Sequence, residues 1–204
     1  EIRLSLVGSE MCIRDRETTA IPVLCVFDNE EIGSETKQGA ASAFLPETLQ
    51  AIVDALGLTD GDYRRLVANS FLLSCDNGHA RHPNHPELAD ANEAPVLNGG
   101  VVVKHSPRYA TDAVSAAAFQ ELCRRAQVPT QHYANRPDQA GGATLGNIAN
   151  TKLPVNTVDI GMAQLAMHSC FETMGSRDVA HFVRAVTACY EAVLTFTDTA
   201  VEIG

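Results

Sequence analysis

Positive charge is scarce in this sequence: 15 Lys and Arg stand against 25 Asp and Glu, a formal net charge of −10. That balance excludes electrostatic binding to nucleic acid or to an anionic membrane surface. The acidic residues are spread along the chain rather than gathered in a tail, which fits an ordinary solvated surface. Nothing approaches the ~20 consecutive apolar residues that a membrane-spanning helix needs. None of the six cysteines (Cys12, Cys25, Cys75, Cys123, Cys170, Cys189) forms a CxxC pair, and a disulfide framework would suit a smaller, secreted, loop-rich chain. Cys25, Cys75, Cys170 and Cys189 sit among apolar neighbours and read as buried free thiols. The reducing cytoplasm is the expected compartment. Internal repeats, low-complexity tracts and inter-domain linkers are also missing.

What is present suits one α/β domain: 204 residues, 45% hydrophobic and 20% charged, enough to bury a sizeable core. The opening stretch, EIRLSLVGSEMCIRDR, lacks the basic start, apolar run and small-residue cleavage site of a signal peptide. It has no sustained periodicity either, and reads as a foreign leader over residues 1–16 ahead of a domain at 17–204. From Ile21 the pattern is regular. IPVLCVFD (Ile21 to Asp28) reads as a buried strand. FLLSCD (from Phe71), VVVKHS (from Val101), TQHYAN (from Thr130) and VNTVDIG (Val155 to Gly161) read as four more. ASAFLPETLQAIVDALG has helical spacing, with Pro46 a point where it could split. ATDAVSAAAFQELCRRAQ reads as a helix capped by Thr111 or Asp112, and SRDVAHFVRAVTACYEAVLTF as a long amphipathic helix capped near Ser176. Strands alternating with helices predict a three-layer α/β sandwich, its central sheet mostly parallel or mixed and incomplete at its N-terminal side. Ligands in such folds bind beyond the carboxyl ends of strands, where the two most polar loops begin.

Three constellations could carry chemistry. In Asp28-Asn29-Glu30-Glu31-Ile32-Gly33, adjacent carboxylates after an apolar run are costly to desolvate unless a cation sits between them. One Glu could then hold a divalent metal and the other take a proton from its water; a solvated turn is the other reading, and an EE pair alone does not decide. The second follows Asp76, with His79, His82 and His85 at intervals of three. Pro83 and Pro86 argue against one continuous helix there, so at most one or two of these histidines point inward. His85 reads as a surface residue, while His79 and His82 stay open between ligand and loop. In the third, His168 sits in an apolar stretch beside small polar residues, as a core histidine or as a ligand whose second ring nitrogen needs a partner. Lys104 ends a strand, and GGATLGN (Gly141 to Asn147) lacks the spacing of a phosphate loop; its glycines suit close approach of backbone to a substrate.

In order, DNEEIGSE, SxDxxHAxHPN, VxKHSPRYATD, GGATLGNI and DIGMAQLAMHSxxE resemble the aspartyl aminopeptidase family of dinuclear zinc exopeptidases, from about Pro22 to the C-terminus. The resemblance implies a zinc-dependent aminopeptidase with Glu30 as general base. It implies Glu31, Asp76 and His168 as ligands of two Zn²⁺ ions, and His79, Lys104, Tyr109 and Gly142 as substrate-binding positions. Peptides with an N-terminal Asp or Glu are the implied substrates, Lys104 supplying the cation for that side chain. A homo-oligomer is implied for a full-length protein. The family also uses an upstream His and a metal-bridging Asp. Here no His precedes His79, and Asp15 lies in the leader, so three ligands remain for two ions. An inactive isolated chain is therefore expected, the alternative being a catalytically silent folded or assembling module. A dinuclear aminopeptidase with a neutral-residue preference is a third reading.

Overall fold

The computed structural model describes residues 20–139, 141–197 and 200–204, apart from the side chains of Glu31 and Ile32. Residues 1–16, the stretch read as a leader, with Cys12 and Asp15, lie outside them.

Among the described residues three helices precede the first strand: α1 (Glu30–Gly33), α2 (Phe44–Ala55) and α3 (Asp60–Ala68). Pro46 does not split α2, because it lies in the first turn, where no backbone N–H is owed to an earlier carbonyl. The chain leaves α2 through Gly57 at φ +70°, a left-handed exit that glycine takes without penalty. The periodicity reading missed α3. Its signal is local: Thr59 and Asp62 form a reciprocal capping box, with Asp62 N–H donating to Thr59 Oγ1 at 3.3 Å and Thr59 N–H to Asp62 Oδ2 at 2.8 Å.

Then come β1 (Phe71–Cys75), β2 (Gly78–His79), β3 (Val101–His105), α4 (Ala113–Arg125), β4 (Thr130–Ala134), α5 (Leu145–Asn150), β5 (Asn156–Gly161), β6 (Ala163–Leu165), β7 (Thr173–Met174), α6 (Ser176–Glu191), β8 (Leu194–Phe196) and β9 (Val201–Ile203). The main sheet runs β1-β5-β3-β4. It is mixed: β1 lies parallel to β5 and β3 parallel to β4, while β5 and β3 are antiparallel.

The pleat sorts the side chains onto two faces. Phe71, Leu73, Val101, Val103, Val158 and Ile160 pack against Ala116, Phe119 and Cys123 of α4 and Phe182 and Ala185 of α6. The buried positions of α4 recur at helical spacing, which is why this face reads clearly from the sequence. Leu72, on the other face, packs with Leu45, Leu49, Tyr63, Val67, Leu153 and Val155, so α2, α3 and the segment after α5 form the third layer. Lys104, Ser74 and Asp159 share that face, and all three are buried.

Several expectations need correction. Residues 21–27 form no strand, and Ile21, Val23 and Val26 are exposed. Among the described residues no neighbouring strand pairs with them, and without a ladder an apolar run has no reason to hold strand geometry. Cys25 and Phe27 still pack into the second cluster. Of the four thiols read as buried, Cys75 and Cys170 are exposed and Cys25 and Cys189 only partly covered. Cys75 ends β1, an edge strand of the sheet among the described residues, and Cys170 lies in a loop. The last helix stops at Glu191, and its cap position is Gly175, without a capping side chain. Instead Arg177 N–H donates to Asn98 Oδ1 at 3.0 Å.

Candidate active site

Two strands of the sheet bend together and carry the site. After Cys75, β1 passes through Asp76 and Asn77 into β2; after Gly161, β5 passes through Met162 into β6, and β2 pairs with β6 in parallel. Asn77 fastens the bend, its Nδ2 donating to Gln164 Oε1 at 2.7 Å and its Oδ1 accepting from Met162 N–H at 3.3 Å. The two backbones cross so closely that a Cβ on Gly161 would stand 1.8 Å from the Asp76 carbonyl oxygen. Only glycine fits there.

Lys104 reaches this bend from the sheet face. Because β3 runs antiparallel to β5, its carboxyl end does not lie beside that of β1, and the side chain must cross the sheet. Its stem passes over Gly78, where a Cβ would sit 3.5 Å from Cε. Nζ donates to Asp76 Oδ2 at 3.1 Å and to the Asn77 carbonyl at 2.8 Å. Lys104 is 2% exposed and Asp76 29%, so a nearly buried ammonium is paired with a carboxylate at the cluster's open side. The Tyr109 ring lies 5.7 Å from Nζ. Burial, with Tyr133, Asp76 and Asp159 nearby, pushes the Tyr109 phenol well above its ordinary pKa. The rings of Tyr109 and Tyr133 are 6.4 Å apart, and Tyr133 Oη donates to Asn135 Oδ1.

His79 belongs to the same neighbourhood. Although the residue as a whole is exposed, desolvation of its ring lowers its pKa. His168 and Lys104 push the same way, and Asp76 opposes them. His168 is exposed, on the loop from β6 to β7, at φ +66°, and Ala166 has φ +56°. Left-handed backbone at two non-glycine residues costs about 1–2 kcal/mol each. The His168 N–H donates to Glu172 Oε1 at 2.6 Å.

Asp76, His79, Lys104, Tyr109 and His168 are thus brought together from β2, β3 and three loops, Asp76 lying in the β1–β2 connection. Glu30 stands on a separate element, as the first residue of α1, its carbonyl accepting from Ser34 Oγ at 3.3 Å. Gly142 is exposed, and a Cβ there would meet nothing within 4 Å. The close approaches of the glycine-rich turn fall at Gly141, against Asn135, and at Gly146, against Ser74 and Asp159. The rings of His82 and His85 lie 5.6 Å apart at a tilt of 36° on the surface.

Sequence reasoning passed over Asn77, Tyr133, Asn135, Gln164 and Asp159. Asp159 had a usable signal, a lone carboxylate between Val158 and Ile160 inside a strand.

The sequence matches the family described as aminopeptidase I zinc metalloprotease (M18) over residues 5–190. The chain belongs to the M18 aminopeptidase family. It is 42% identical to the M18 family aminopeptidase 2 of Mycobacterium leprae over 189 residues, which is 92% of this chain and 44% of the relative. The mApe1 dodecamer of S. cerevisiae superposes with a TM-score of 0.74 at 29% identity, over 92% of this chain and 42% of that one. The M18 aminopeptidase of Thermotoga maritima gives a TM-score of 0.83 at 24% identity, over 93% and 44%, and shows the fold alone. The M18 chain described here therefore spans less than half the length of the relatives it matches.

Zinc is a property of this family, and the described residues do not compose a centre for it. No three His, Cys, Asp or Glu side chains among them gather as a metal site needs, and Oδ2 of Asp76, one of its two carboxylate oxygens, accepts from Lys104.

Proposed function

We propose that this chain is the C-terminal part of the catalytic unit of an M18 aminopeptidase that removes N-terminal Asp or Glu from peptides. The observation that carries the reading is Lys104. Its side chain is 2% exposed and its ammonium faces the Asp76 bend, and among the described residues two of its three N–H bonds are used. The third suits an incoming carboxylate, and a charge-assisted bond in a desolvated setting discriminates strongly against neutral side chains. Tyr109 and His79 flank that position, and the Gly142 turn forms the adjacent wall. Glu30 is the group that takes a proton from the attacking water and returns it to the leaving amine. Glu31, Asp76 and His168 are the donors this chain contributes to two zinc ions, the remainder coming from outside it. Full-length assembly as a homo-oligomer follows the dodecameric likeness. The cytoplasm is the proposed compartment; among the described residues no helix is long and apolar enough to cross a membrane.

On this reading the isolated chain binds an acidic N-terminus but does not hydrolyse it. A second reading, a catalytically silent folded module, is favoured by the same lack of converging metal donors. Binding separates the two. Titrating the chain with Asp-Ala-Ala and Leu-Ala-Ala, followed by amide shifts, should show saturation with the acidic peptide only and its loss in Lys104→Met. Equal response to both peptides would remove the acidic preference. Two tightly held zinc ions with turnover of an aspartyl amide would overturn the expected inactivity.

A further inference from the structure

We propose that Asp159 is a positioning residue, whose buried carboxylate ties the Tyr109 turn and the glycine-rich turn to β5 and so sets the two walls between which Lys104 meets its ligand. The inference rests on the substrate reading above for what those walls hold. Asp159 is fully buried, and its two oxygens serve different segments. Oδ2 accepts the Ala110 N–H at 2.6 Å, in the connection from β3 to α4. Oδ1 accepts from Thr144 Oγ1 at 2.6 Å, at the end of the connection from β4 to α5, and from Ser74 Oγ at 2.6 Å on neighbouring β1. The backbone of Asp159 adds a fourth tie, its N–H donating to Thr111 Oγ1 at 2.8 Å.

Two loops from two different crossovers therefore meet on one side chain, and each carries a residue of the proposed pocket next to its anchor. Tyr109 precedes Ala110, and Gly142 lies two residues before Thr144. A carboxylate is suited to this because a backbone N–H can only donate, and each hydroxyl can turn to donate as well. The fit is close: a Cβ on Gly146 would stand 2.6 Å from Ser74 side-chain atoms and 2.7 Å from Asp159 Oδ1. Ala in place of Asp offers no acceptor to either loop, whereas Asn would keep an oxygen for the Ala110 N–H and an amide donor for the two hydroxyls, which can also accept.

The test uses the whole 204-residue chain carrying Asp159→Ala. Its readouts are amide exchange at Ala110, tryptic cleavage at exposed Arg108, and titration with Asp-Ala-Ala. Exchange and cleavage should each rise about tenfold and peptide affinity fall about tenfold, the scale of one buried charge-assisted hydrogen bond, while the amides of Val102 and Val103 keep their protection. Unchanged Ala110 exchange in a folded variant would overturn the proposal. So would loosened loops with undiminished peptide affinity, which would make Asp159 a structural residue only. If the unsubstituted chain takes up no acidic peptide, the substrate reading is lost and the tether is judged on exchange alone. Should Asp159→Ala fail to fold, Thr144→Val removes a single donor. Faster exchange across residues 141–146, with Ala110 still protected, supports the tether, and unchanged exchange there refutes it.

Discussion

Replacing Lys104 by Met tests the central contact most directly. Met keeps the apolar stem that crosses Gly78 and removes the ammonium. Two partners then lose their donor: the Asp76 carboxylate at 3.1 Å and the Asn77 carbonyl at 2.8 Å. Removing one member of a buried pair costs about 3–5 kcal/mol, most of it from the charge left behind. Asp76 is 29% exposed, so water recovers part of that. The orphaned carbonyl adds about 1 kcal/mol. The expected loss is about 2–4 kcal/mol, against a total of about 5–15 kcal/mol for a domain. At about 2–4 °C per kcal/mol for a chain of this size, the unfolding midpoint should fall by about 5–15 °C. Thermal and urea denaturation measure this. A double-mutant cycle with Asp76→Asn isolates the pair, because neutralising Asp76 removes the stranded charge, and the double variant should recover much of the loss. A Lys104→Met chain as stable as its parent, or strictly additive substitutions, would show that the two groups are not coupled.

Glycine substitutions and pH give two further outcomes. Gly161→Ala places a methyl 1.8 Å from a backbone oxygen that no side-chain rotation can move, so it should cost about 3 kcal/mol or prevent folding. Gly142→Ala meets nothing and should change the unfolding free energy measured in urea by less than about 0.5 kcal/mol; the opposite ranking would contradict the packing at the β1–β5 bend. Desolvation holds both His79 and His105 below the ordinary 6.5, with His168 and Lys104 adding to the first and His132 to the second. Above that value both rings are neutral folded and unfolded, and contribute nothing. As pH falls below it the unfolded chain protonates first, so stability should decline from about pH 6.5 downward. His79→Gln and His105→Gln should each flatten the slope of urea midpoint against pH between 7.5 and 5; a slope already flat in the parent would refute the assignment.

The family resemblance was legible in linear motifs, since Glu30, Glu31, Asp76, Lys104 and His168 fall in short ordered blocks. Four strands and the two long helices were legible for a different reason. α4 buries one face of a helix against a sheet, and β5 is buried on both faces, so each writes its own period into the chain. IPVLCVFD shows the limit of that signal: an apolar run records a wish for cover, and only a paired neighbour makes it a strand. Capping chemistry, readable in Thr59 and Asp62, signalled α3 where hydrophobic spacing did not. Tertiary structure alone decided which carboxylate meets which cation. The antiparallel step between β5 and β3 sends Lys104 across the sheet to Asp76, and no local pattern encodes strand direction. Asp159 is the same lesson in one residue: its four ties join segments up to 85 positions apart in the chain, and a contact of that span exists only once the sheet has formed.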